Sequence, residues 1–147
     1  MTFALCLRFL HILSAALWMG SGLFWPGALR RALLLEPPAP GPALAQAQAG
    51  AGLDLGSGLA VLATGLAYAS PLGGASMRMG IALGLLFALA RLVLVAAVAR
   101  PAIGRIREAL GAGDLVLARA ASRKLLAYSG SAHLLWLLAL VVMVFPI

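Results

Sequence analysis

The chain has 147 residues, 63% of them hydrophobic and only 10% charged, with a mean hydropathy of +1.05. Soluble domains are about 45–50% apolar and roughly one quarter charged, so this composition excludes a water-soluble globular domain and requires lipid as solvent. The net charge of +7 would suggest nucleic acid in a soluble protein. Here most of the basic residues flank apolar runs, no nucleic-acid motif accompanies them, and membrane topology explains them better.

A membrane-spanning helix needs ~20 apolar residues. Four such spans and short connections use nearly the whole length, which predicts one all-α domain, a four-helix transmembrane bundle, with no appended catalytic domain. Span one is predicted over residues 2–29, ending at Pro26, Gly27 and the Arg30-Arg31 pair. It lacks a basic lead-in and a small-residue cleavage site, so it reads as a retained helix rather than a signal peptide. Cys6, the one cysteine, reads as a small buried hydrophobe. The stretch 36–42 holds Pro37, Pro38, Pro40 and Pro42 and reads as a non-helical surface loop, after which an Ala/Gln piece can start the second helix early.

Span two is predicted over 51–69 and stops at Ser70-Pro71 and Gly73-Gly74. Gly52 and Gly56 form a small-xxx-small pair there, as do Gly80 and Gly84 in span three, predicted over 77–99 and closed by Arg100-Pro101. Such pairs let helices approach closely in lipid. A short amphipathic piece follows over 103–110, with Arg105, Arg107 and Glu108 polar. Asp114 is placed to cap a last helix, which begins with Arg119, Arg123 and Lys124 and becomes a span over 125–145.

The loops after spans one and three, with the start of the last helix, carry Arg30, Arg31, Arg100, Arg105, Arg107, Arg119, Arg123 and Lys124; the other side carries Arg8 and Arg78. The positive-inside rule then puts both loops in the cytoplasm and both termini outside, in the cell's inner membrane.

Polar groups at membrane depth are costly and tend to be functional. His11 shares a helix face with Arg8, Ser14, Trp18 and Gly22, and His133 shares one with Ser129, Gly130 and Trp136. By helix rise the two histidines lie at similar depth. Neutral imidazole ligates haem iron, copper or zinc. One reading is therefore a single haem b between spans one and four, with His11 and His133 as ligands, Trp18 packing the ring, and Arg8 or Arg91 offsetting its carboxylates; copper is the alternative metal. Two histidines exclude a two-haem cytochrome of the four-histidine kind. The bland reading has each histidine bonded to a serine or a backbone carbonyl. Arg91, in the inner half of span three, and Asp54, near the inner end of span two, form a plain interhelix ion pair on one reading and a carboxylate anchor on the other. Trp25 suits an interfacial belt, and the methionines scatter toward helix ends. Paired carboxylates, a Ser/His/Asp set and a phosphate-cradling loop are all absent from the sequence.

The first span, Leu10-His11-Ile12 through Trp18-Met19-Gly20 to Leu23-Phe24 and Pro26, resembles the opening helix of small membrane proteins around the copper-resistance protein D (CopD) domain and of the HemJ-type protoporphyrinogen oxidases. The match covers about twenty residues. The HemJ-type resemblance implies a haem ligand at His11; that family also carries a functional lysine in its third span, where this chain has Arg91. The CopD-like resemblance implies copper handling or import. Three functions remain open at this level: a haem-binding or redox module, an accessory subunit of a membrane complex or a homo-oligomer, and a copper-handling or transport protein.

Overall fold

The computed structural model describes residues 3–35, 39–70 and 79–145. The expected stop signals at 71 and 73–74, and Arg78, lie outside the described residues. The fold is all-α. Four helical stretches are long and apolar enough to cross a membrane, Phe3–Ala32, Pro40–Ala69, Met79–Gly111 and Leu115–Val144. By helix length and hydropathy the chain is a multi-pass membrane protein embedded in lipid.

The first stretch is two helices rather than the one predicted. α1 (Phe3–Ser21) ends at a turn, and α2 (Trp25–Ala32) restarts with Pro26 in its first turn. Proline is tolerated there because the first N–H groups of a helix have no intrahelical partner; Pro26 opens a helix instead of closing one. The same physics corrects the later part of the proline-rich stretch, Glu36, Pro37 and Pro38 lying outside the described residues. α3 (Pro40–Ala69) starts at Pro40 and takes Pro42 into its opening turn, so the helical reading begins well before residue 51.

The third stretch also runs on past its expected end. α4 (Met79–Leu94) passes into a π-helical turn, Val95–Ala99, and then into α5 (Arg100–Gly111). Pro101 removes one N–H and would crowd the carbonyl four residues back; the wider turn just upstream accommodates it without ending the helix. α5 buries Ala102, Ile103, Ile106 and Ala109 and exposes Arg105, Arg107 and Glu108, the amphipathic pattern predicted. α6 (Leu115–Val144) is capped as predicted, Asp114 Oδ1 accepting from Leu117 N at 2.8 Å.

α1 lies along α3, α3 beside α4 and α4 beside α6, while α1 and α6 stay apart; α2 fills the space between α3 and α6, and α5 packs on α6 and α3. The larger core cluster joins Trp25, Leu29 and Leu33 to Ile106, Leu125 and Tyr128 at the end bearing the basic residues. A smaller one, Trp18, Val61, Ala88 and Leu92, continues toward the other end. Phe9, Ile12, Leu59, Leu86 and Leu134 are each more than half exposed on the outside of the bundle, as a surface solvated by lipid requires; Cys6, expected to be buried, is exposed on α1 as well.

Candidate functional site

Two features stand out inside the bundle, a buried polar cluster and an apolar cavity that His11 lines. The first joins all four long stretches near their middles. Asp54 of α3 and Arg91 of α4 form an ion pair, Nη2 to Oδ1 at 2.9 Å, with both side chains about 1% exposed or less. Arg91 Nη2 also donates to the Trp18 carbonyl of α1 at 2.8 Å, and the guanidinium lies 4.4 Å from the centroid of the Trp18 ring. Tyr128 of α6 donates its hydroxyl to the other oxygen of Asp54. Gly22 completes the packing: a methyl added there would lie 3.0 Å from Arg91 Nη2 and 3.4 Å from Asp54 Oδ2. The ion pair was one of the two sequence readings for these residues, but its depth differs from expectation. Asp54 sits mid-helix because α3 starts at Pro40. Arg91 is thus committed to Asp54 and to Trp18.

Trp25 corrects the interfacial reading. It is 4% exposed, lies against Gly50, and packs on Tyr128 with ring centroids 5.9 Å apart. Tyr128 was not singled out from sequence. Its signal there was spacing: it lies on the buried α6 stripe with Leu125 and Ala132, so a hydroxyl had to find an acceptor inside the protein.

The second feature is a cavity of about 380 Å³ in the gap between α1 and α6, lined by His11, Ala15, Trp18 and Met19 of α1 and by Trp136 and Met143 of α6, among others. His11 is positioned from α3. Its Nδ1 lies 3.0 Å from Thr64 Oγ1, and the Thr64 hydroxyl is spent on the Ala60 carbonyl at 2.6 Å. Thr64 oxygen therefore accepts, Nδ1 carries the proton, and Nε2 keeps its lone pair. Gly65 gives the ring room, since a methyl there would stand 3.2 Å from His11 Cε1. Nε2 has no hydrogen-bond partner among the described residues.

His133 is set the same way by its own helix. Nδ1 lies 2.6 Å from the Ser129 carbonyl, which can only accept, and Nε2 is buried without a partner. His133 does not line the α1–α6 cavity. Arg8 is exposed one turn before His11. Gly22 lies against Arg91 rather than the cavity, and Gly130 faces open space. Met19 and Met143, which read as scattered in sequence, share the cavity with His11. No group of three or more His, Cys, Asp or Glu placed to hold a metal occurs among the described residues, so a metal in this bundle would draw on single imidazoles and thioethers. No family model, curated protein or solved structure matches this chain.

Proposed function

We propose that this membrane protein binds one haem b in the α1–α6 cavity, where His11 Nε2 would hold the iron. The observation that carries the reading is the Thr64-fixed tautomer of His11 beside an apolar cavity flanked by two indoles, Trp18 and Trp136. A ligating imidazole characteristically gives its other N–H to a protein acceptor, which fixes its orientation and raises its basicity. The residues fit such a group in part. Imidazole, ring-stacking surface and apolar walls are in one place, and exposed Arg8 on the same helix face supplies a cation for a carboxylate. Arg91 is already neutralised by Asp54 and contributes little there. His133 carries the right lone pair but lies outside the cavity lining, so the fit rests on His11 as the one residue that would hold the iron. A bound haem would supply one-electron chemistry; the chain's own part is to ligate, to exclude water with apolar walls, and to leave the α1–α6 gap open toward lipid. The first-helix resemblance to HemJ-type and CopD-like proteins, the orientation with both termini outside, and residence in the inner membrane belong to the same proposal.

The test is the visible spectrum of detergent-purified protein from haem-replete cells, oxidised and then reduced with dithionite. The reading expects a Soret band that His11→Ala abolishes and His133→Ala retains. Loss in both variants would make His133 a second ligand, and a colourless wild-type protein at full yield would overturn the haem reading.

One observation favours a second reading. Met19 and Met143 thioethers share the cavity with His11, and soft sulfur with imidazole suits Cu(I). Metal analysis of the same sample separates the two: copper at one equivalent, lost in Met143→Leu, without a Soret band.

A further inference from the structure

The end of the bundle opposite the His11 cavity carries most of the positive charge. Arg30 and Arg31 of α2, Arg100, Arg105 and Arg107 of α5, and Arg119, Arg123 and Lys124 of α6 all gather there. Membrane topology accounts for basic residues near an interface. It does not require two of them to converge on one cleft, and Arg100 and Arg107 do.

A cleft of about 330 Å³ lies between α3 and α5. It is lined by the exposed Gln48, Arg100 and Arg107, the buried Ala51 and Ile103 and the half-buried Gly104. Arg100, Gly104 and Arg107 fall at i, i+4 and i+7, one face of α5. Neither guanidinium is within salt-bridge distance of an acidic group among the described residues, where the ion pair present is Arg91–Asp54. Glu108 lies on α5 but outside the cleft lining. Gly104 faces the open space of the cleft: a Cβ built there meets nothing within 4 Å. Arg119, by contrast, spends its Nε on the Leu33 carbonyl at 2.7 Å, at the end of α2.

Two guanidiniums without an acidic partner among the described residues and a primary amide, set beside apolar side chains at the edge of a lipid-facing bundle, match one kind of ligand. Guanidinium groups recognise phosphate through several N–H donors, and basic clefts between membrane helices take anionic lipid headgroups. We propose that this cleft is a binding site for the phosphodiester headgroup of an anionic phospholipid, held by Arg100 and Arg107 with Gln48 donating from α3. The acyl chains then run down the apolar outside of the bundle, which a free anion cannot exploit. Bound there, the lipid ties α5 to α3 across the end of the bundle. The site is independent of the haem reading and lies far from His11.

The test is native mass spectrometry of delipidated protein titrated with phosphatidylglycerol, phosphatidylcholine, or inorganic phosphate. Wild-type protein is expected to bind phosphatidylglycerol in preference to phosphatidylcholine. Arg100→Gln and Arg107→Gln should each weaken that binding about fivefold, the usual worth of one basic side chain at an anionic surface. Arg105→Gln, outside the cleft, should change it less than about twofold on the rim-charge argument. Gly104→Leu, which fills the cleft while leaving every charge in place, should weaken it as much as loss of an arginine. Its unfolding temperature checks that the fold is intact. Equal weakening by Arg105→Gln, or full binding in a folded Gly104→Leu protein, would show a diffuse charge effect and overturn the proposal. Inorganic phosphate that binds as tightly as phosphatidylglycerol and displaces it would also overturn it, by making the ligand a free anion.

Discussion

Asp54 is held by two other helices, and its loss has consequences that neighbouring residues do not share. Removing one partner of a buried ion pair strands the other charge, at a cost of about 3–5 kcal/mol. Asp54→Ala should lower stability by that amount, read as unfolding in detergent by denaturant or heat. The paired replacement Asp54→Leu with Arg91→Met should recover most of the loss, since no buried charge remains. Tyr128→Phe removes one hydrogen bond to a charged group and should cost about 1.5–3 kcal/mol. An outcome in which the double variant is as unstable as Asp54→Ala alone would show that the pair is needed for something other than mutual neutralisation. His11 behaves differently at the same scale. Thr64→Val deletes the acceptor that sets its tautomer while keeping side-chain shape, so it should weaken whatever His11 ligates about 10–100-fold with only a small stability change. Titration of ligand binding against the wild-type protein checks it.

Among the helices, the glycines sort by what faces them. Gly80 and Gly84 lie directly against Val142 and Met143 of α6, and Gly58 against Leu92 and Trp18, where an added methyl would stand 2.6–2.8 Å from side-chain atoms. Alanine at Gly58 or Gly84 should destabilise by about 1–3 kcal/mol through overpacking. Gly52 and Gly56 have nothing within 4 Å and lie exposed on α3. Alanine there should be neutral or stabilising by up to about 1 kcal/mol, from helix propensity alone. The two small-xxx-small pairs are indistinguishable as strings, because the motif records only that close approach is allowed. Which pair is used depends on which face of the helix a neighbour occupies. The same holds for the prolines. Pro26 and Pro101 read as stops and Pro40 and Pro42 as loop, yet Pro26, Pro40 and Pro42 sit in the opening turns of helices, where the missing N–H costs nothing, and Pro101 is carried through a continuous helix by the π turn before it.

At the level of the whole molecule, the bundle is closed along α1–α3–α4–α6 and open between its first and last helices. That gap is where the His11 cavity forms. The smaller core cluster at that end and the larger one at the basic end imply unequal rigidity. Amide exchange should be slower around Leu125 and Ile106 than around Ala15 and Leu140, and the reverse order would contradict the packing. The proposed orientation has its own test. A cysteine placed at Gly113, in a Cys6→Ser background, should react with an impermeant maleimide only after the membrane is permeabilised. Labelling in intact cells would invert the topology.

The sequence by itself determined the solvent, the number and approximate place of the four spans, the Asp114 cap and the amphipathic face of α5. These follow from composition, periodicity and local backbone chemistry, which act over a few residues. Only the tertiary structure decided how the side chains meet. It paired Asp54 with Arg91 and added Tyr128, buried Trp25, and gathered His11, Met19 and Met143 around one cavity while leaving His133 outside its lining. The physical reason is that lipid drives every apolar face equally well. Helix order and rotation are therefore set by interhelical packing and buried polar pairing, between residues tens of positions apart, and no local pattern in the chain records that choice.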